Sequence, residues 1–156
     1  MSKQIIWIGF LCVTLICAGI SCTGSDAADG SLDASVIEAT IGQYFQYVNN
    51  EQLDDLMNLY DENAVFNFPM GYTDVTGLDN IRAFYSMVFA FDYHRDNPLE
   101  IFIKGNQAAV LIDASIGPNE ADATFLKAMS HMIFNPEGKL SSVRAIFDSA
   151  PLICPP

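Results

Sequence analysis

Helix-period segments come first in this chain and strand-like runs come later, and that order limits the fold more than any other feature. Over Ser35–Val48 the apolar residues Val36, Ile37, Ile41, Tyr44, Phe45 and Val48 form one helical stripe. Ser35 and Glu38 have the spacing of a capping box, and Asn49 and Asn50 end the run. Leu53, Leu56, Met57 and Tyr60 predict a second, shorter helix. The stretch AVFNFPMG, Ala64 to Gly71, reads as a short strand stopped by Pro69 and turned by Gly71. Its two-residue period sets Phe66 and Phe68 on one face, Val65 and Asn67 on the other. After the loop GYTDVTG, Leu78–Phe89 predicts a third helix through Ile81, Phe84, Tyr85, Val88 and Phe89, and Asp92–Pro98 reads as a polar connection. Residues 99–103, 108–116, 123–134 and 140–147 are apolar and β-rich, parted by the turn signals GNQ, GPNEAD and NPEG. This is an α+β plan: a cone-shaped, curved antiparallel sheet packed with three N-terminal helices around an apolar cavity. Such a cavity is a natural small-molecule site.

The N-terminal residues follow different rules. Lys3 precedes the apolar run IIWIGFLCVTLICAGI, and small residues follow at once, the anatomy of a secretory signal. The run is about 16 residues, at or below the lower limit for spanning a bilayer, which leaves an uncleaved anchor as the alternative. GISC resembles the lipobox of bacterial lipoproteins, although Gly19 stands where that motif prefers Leu. The resemblance implies a lipid on Cys22 and attachment to a membrane surface; ordinary cleavage after Ser21 or Ala27 is the alternative. The expected organisation is a signal peptide over 1–21, a flexible tether over 22–33, a domain over 34–150 and a tail over 151–156. The protein is then exported, either membrane-anchored or periplasmic or secreted. Cys12 and Cys17 leave with the signal, and a lipidated Cys22 leaves Cys154 single; without the lipid, a Cys22–Cys154 bridge is the alternative. Loss of Lys3 takes the net charge from −12 to −13. A chain so acidic, with no basic stripe, is not built to meet nucleic acid.

The run YFQYVNNEQLDDLMNLYDENAVFNFPMG, with TGLDNIRAFY after it, resembles the amino-terminal half of ketosteroid isomerases and SnoaL-like proteins of the nuclear-transport-factor-two-like superfamily. No gap is needed from Tyr44 through Gly71, and HMIFNPEGKLSSVRAIF resembles the paired last strands. The resemblance spans Ser35 to Asp148. It is specific for fold and weak for function, because the superfamily hosts enzymes, binders and assembly modules.

The isomerase chemistry moves a proton beside a ketone with a carboxylate base, a tyrosine and a protonated aspartate. The resemblance places Tyr44 at the oxyanion tyrosine, and Tyr60 and Tyr85 at supporting tyrosines. The base aspartate matches Phe68, which accepts no proton, and the second aspartate matches Ser130, which still donates one hydrogen bond. Losing a positioned base typically costs about 10²–10⁴-fold. Replacements are poorly placed: Asp74 reads as a solvated turn residue, Asp113 is out of phase with Val110 and Ile112, His131 points opposite to Ser130, and His94 reads as a surface-loop histidine. No metal-ligand spacing, phosphate loop or nucleophile elbow is present, and no cofactor is expected.

Three readings follow. The first is an exported domain binding a small hydrophobic molecule through Tyr44, Tyr60, Phe66, Phe68, Met70, Tyr85, Ser130 and Met132, without ketosteroid isomerase activity. The second is an isomerase- or cyclase-like enzyme on a carbonyl substrate, with Tyr44 as oxyanion donor, Ser130 beside it and the base unidentified. The third is a homodimeric interaction module, paired through the exposed sheet face, whose cavity is only packed core.

Overall fold

A computed structural model of the chain describes residues 31–68 and 73–147. The expected signal peptide, Cys22, most of the tether, Pro69 to Gly71 with Met70, Cys154 and the C-terminal tail lie outside the described residues. Among those described, no helix is long and apolar enough to cross a membrane.

Helix α1 runs over Ala34–Asn49. Its cap is Asp33 rather than Ser35: the Asp33 carboxylate accepts from both the backbone N–H and the hydroxyl of Ser35, each at 2.8 Å. A carboxylate two residues earlier reaches the free N–H of Ser35, which already lies inside the helix. Asn50 closes the other end, donating its N–H to the carbonyl of Gln46. Helix α2 covers only Leu53–Asn58 and buries Leu56 and Met57. Tyr60 does not complete that helix. It opens strand β1, Tyr60–Asn67, because the carbonyl of Leu59 is taken by the N–H of Leu140 at 2.8 Å. The loop after β1 contains a two-residue strand β2, Val75–Thr76, and helix α3 follows over Leu78–Val88. Gly77 holds the entry to α3 at φ 83°, a conformation that favours glycine.

Four long strands complete the chain: β3 over Tyr93–Lys104, β4 over Gln107–Gly117, β5 over Thr124–Phe134 and β6 over Leu140–Phe147. The curved sheet has the order β2-β1-β6-β5-β4-β3. Its neighbours are antiparallel except β1 and β6, which run parallel, so the sheet is mixed. Parallel neighbours need a long connection, and here that connection is everything between β1 and β6.

The segment Asp92–Pro98 is the main correction to the reading above. It is not a connection: Tyr93 begins β3, and Tyr93 through Pro98 pair with Gly117 back to Ile112. Pro98 fits because β3 is the sheet's edge and a bulge follows between Pro98 and Glu100.

The core lies between the helices and the inner sheet face. Helix α1 contributes Ile37, Ile41, Tyr44, Phe45 and Val48, all buried. Opposite stand Val110, Leu126, Met132 and Val143 with the small residues Ala108, Ala114 and Ala128, which leave room for the helix. Each fully buried Ile or Met contributes about 1.5–3 kcal/mol.

Candidate functional site

One end of this core is hollow. The cavity lies between α1, α3 and the sheet, with Tyr44, Phe84, Tyr85 and Val88 on its helical side. Phe66 enters from β1 and Phe68 from just past its end, His94 and Asp96 from β3, Ala114, Ser115 and Ile116 from β4, and Leu126 from β5. The space between atoms is about 500 Å³ with the open mouth included.

The apolar wall is aromatic. Phe66 packs on Phe84 at 4.7 Å between centroids, and Phe68 sits edge-on to Phe147 at 4.1 Å. Phe68 is therefore held by Phe66, Phe84 and Phe147 while still facing the cavity. Asn67, one residue earlier, leaves by the opposite face and donates to Asp74 at 2.7 Å. Asp74 is also gripped by both Arg144 nitrogens, at 3.1 and 3.0 Å. The bonds from Arg144 and then Asn67 hold its carboxyl below the usual range, and it does not line this cavity. Asp113 lies near Lys127 at 3.9 Å, and His131 meets Gln107 at 2.8 Å; neither lines the cavity.

The polar wall begins with three tyrosines. The Tyr44 and Tyr85 hydroxyls lie 2.7 Å apart, and those of Tyr85 and Tyr60 3.1 Å apart. Three hydroxyls bring three hydrogens, and two links use two of them. One O–H is left over: on Tyr44, on Tyr60, or on Tyr85 when Tyr85 accepts from both neighbours. Tyr44 and Tyr85 line the cavity and Tyr60 does not, so two of the three arrangements leave the spare hydrogen on a residue of the cavity wall. Burial pushes all three phenols well above their ordinary range; the Asp96 carboxylate adds to this at Tyr44. They are therefore neutral donors near neutral pH.

His94 and Asp96 are the residues the sequence reading missed. His94 is only 8% exposed, and its Nε2 lies 3.4 Å from Asp96 Oδ1. Its Nδ1 is buried and has no hydrogen-bond partner among the described residues. The polar run FDYHRDNP hid the strand, yet His94 and Asp96 stand two apart, the spacing that puts both on one strand face. That period was the available signal. Ser115 is a further buried polar residue on the cavity wall.

Of the residues expected to bind a ligand, the fold brings Tyr44, Phe66, Phe68 and Tyr85 to this cavity, with Tyr60 behind Tyr85. Ser130 and Met132 are buried on β5 but do not line it; Ser130 is flanked by Val110 and Ala145 in the neighbouring strands. Among the described residues, no group of three or more His, Cys, Asp or Glu is placed to hold a metal.

The family model of the SnoaL-like domain matches residues 41–143. The chain belongs to the SnoaL-like domain family. Solved structures agree on the fold. SalBIII, an epoxide hydrolase/cyclase-like enzyme of pyran ring formation in the polyether salinomycin, superposes with a TM-score of 0.67 at 22% identity, covering 75% of this chain and 94% of its own. A candidate ketosteroid isomerase from Kribbella flavida gives 0.64 at 18% identity, covering 78% and 84%. An NTF2-like protein of unknown function from Cytophaga hutchinsonii gives 0.60 at 17%, covering 72% and 89%. The curved sheet with helices over one face is thus the NTF2-like fold, and the SnoaL-like domain fills nearly all of the described residues.

Proposed function

We propose that this SnoaL-like domain binds a small, compact, mainly apolar molecule bearing a hydrogen-bond-accepting oxygen. The observation that carries this reading is the Tyr60–Tyr85–Tyr44 chain with one hydrogen to spare at the edge of a phenylalanine-lined cavity. A carbonyl or ether oxygen accepts that hydrogen while the rest of the molecule packs on Phe66, Phe68 and Phe84. Phe68, which accepts no proton, stands where the resemblance puts the isomerase base, and this favours binding without turnover of 3-keto steroids. The test is thermal denaturation and NMR shift mapping with a panel of five- to seven-membered cyclic ketones and their cycloalkane counterparts. Ketones stabilise the protein and shift Tyr44 and Phe66, and Tyr44→Phe weakens them by about tenfold, the loss of one hydrogen bond. Equal binding of ketones and cycloalkanes, or of neither, removes this reading.

The second reading, an isomerase- or cyclase-like enzyme acting on a carbonyl substrate with Tyr44 as oxyanion donor, is favoured by His94 and Asp96 in the same cavity. A further proposal concerns the outer sheet face. Phe125, Met129 and Ile146 are 71%, 42% and 45% exposed, and Met129 is flanked by Ile146 and Leu111 on the adjoining strands. A second copy covering this face makes a homodimer, and Met129→Lys then converts a dimer into a monomer in sedimentation velocity. Export, with a lipid on Cys22 as anchor, remains part of the proposal on the sequence features alone; Cys22→Ser then releases the protein from the membrane fraction.

A further inference from the structure

Asp96 is a carboxylate on the wall of an aromatic cavity, with no strong cation at hand. Its side chain is 19% exposed, and its ion-pair contact among the described residues is His94 Nε2 at 3.4 Å. That is longer than a good hydrogen bond, and neither carboxylate oxygen accepts one among the described residues. Arg95, next in sequence, does not neutralise it. Successive strand residues point to opposite faces. Arg95 donates instead to the carbonyls of Asn49 and His94, and it lies over the Tyr93 ring at 5.7 Å. Among the described residues no lysine or arginine lines the cavity. Taking a carboxylate out of water is costly unless a partner answers its charge, yet this one is held in place. Asn49, the last residue of α1, donates its Nδ2 to the Asp96 carbonyl and accepts the Asp96 N–H on its Oδ1, each at 2.7 Å. The helix that carries Tyr44 therefore also fixes the backbone that carries Asp96.

The cavity answers this charge with rings. Phe68 and Phe84 meet at 70°, and Phe84 and Tyr85 at 87°, so the rings form the sides of a cage rather than a stack. The face of an aromatic ring carries partial negative charge and attracts a cation. A carboxylate, ring walls and no basic side chain together suit an ammonium group and repel a carboxylic acid. The chain as a whole favours the same sign: 19 acidic against 7 basic residues give a net charge of −12, and such a field draws cations to the protein. The Asp96 charge is felt at Tyr44, whose phenol it helps to raise, so the acid and the hydroxyl lie near one another in the cavity.

We propose that the ligand of this cavity is a small amine, bound as its ammonium ion with an N–H on the Asp96 carboxylate and its hydrocarbon part among the rings. The proposal rests on the binding reading above and names the ligand class: Tyr44 meets the oxygen, Asp96 the nitrogen. Amino ethers and amino ketones carry both groups on a compact frame. Asp96 is then the residue that selects amines over alcohols and acids of the same shape. Asn49 is a positioning residue, since it holds the Asp96 backbone and touches no ligand.

The experiment is calorimetric titration near neutral pH with four ring compounds of one size: cyclohexylamine, cyclohexanol, cyclohexanone and cyclohexanecarboxylate. The amine binds about ten- to a hundredfold more tightly than the alcohol, the worth of a hydrogen bond to a charged group, and the carboxylate does not bind. Asp96→Asn brings the amine down to the level of the alcohol. If that variant does not fold, the order of amine, alcohol and carboxylate on the unaltered protein decides the matter. An amine no tighter than the alcohol, a carboxylate that binds as well as the amine, or a folded Asp96→Asn that keeps the preference overturns the amine assignment; cyclohexanone binding then leaves the binding reading standing. An amine that binds while cyclohexanone does not keeps Asp96 as the anchor and overturns the oxygen contact at Tyr44. Failure of all four to bind overturns both.

Discussion

Tyr44 and Tyr85 meet hydroxyl to hydroxyl at 2.7 Å, one from the first helix and one from the third, inside the core. Tyr85 is the centre of the chain, because Tyr60 reaches it from the other side. Tyr85→Phe removes both links at once and leaves the buried Tyr60 hydroxyl with only its weaker approach to Tyr44. The expected cost is about 1–3 kcal/mol. Tyr60→Phe removes an end of the chain and costs less, since Tyr85 keeps its bond to Tyr44. Urea denaturation of the two variants checks the order; equal costs rule out Tyr85 as the hub.

The same chain governs alkaline behaviour. Burial raises the folded-state pKa of Tyr44, Tyr60 and Tyr85 above the unfolded value near 10. For a raised pKa, the stabilising contribution is whole below the unfolded value and is lost as pH rises towards the folded one. Stability should thus fall from about pH 10 upward. Phenolate absorbance near 295 nm should show these three tyrosines ionising only as the fold is lost, in step with circular dichroism. Reversible ionisation of all tyrosines in the folded protein contradicts this.

The architecture was legible because its signals are local: three helical stripes, then apolar runs cut by turns. The errors lie where a distant partner decides. Tyr60 fits the spacing of α2, but the ladder to Leu140 takes it into β1. His94 and Asp96 stand in a polar run ending at a proline, and only pairing with β4 and the edge bulge make it a strand. The parallel β1–β6 pair had no local signature either. Tyr44, Phe66, Phe68 and Tyr85 were legible through the resemblance and the strand period, Phe84 was not, and the polar end contributed by β3 had only the two-residue spacing of His94 and Asp96 as its signal.

Asn49 tests how the helix layer fixes that polar end. Its amide makes two bonds to the backbone of one β3 residue, Asp96, from the end of α1. Asn49→Asp keeps the acceptor but turns the donor into a carboxylate oxygen facing the Asp96 carbonyl. Loss of one bond and a new repulsion should cost about 1–3 kcal/mol. The damage should be local: amide hydrogen exchange should quicken in Tyr93–Asn97 more than in β5. Uniform quickening across the sheet means that the clamp supports the whole fold, not the edge strand in particular.

Phe68 decides what the aromatic wall is for. It is partly exposed and touches Phe66, Phe84 and Phe147. Truncating a fully buried phenylalanine costs about 3–5 kcal/mol, mostly as lost contacts around a new void. Phe68 borders a space that already exists, so Phe68→Ala enlarges a cavity instead of creating one. The expected cost is at or below the low end of that range, about 3 kcal/mol or less. The enlarged cavity should then favour bulkier apolar guests over the small ketones, seen as larger thermal shifts with bicyclic than with monocyclic ketones. A cost at the upper end, with no change in guest preference, makes Phe68 an ordinary core residue and shifts weight to the outer sheet face as the working surface of the domain.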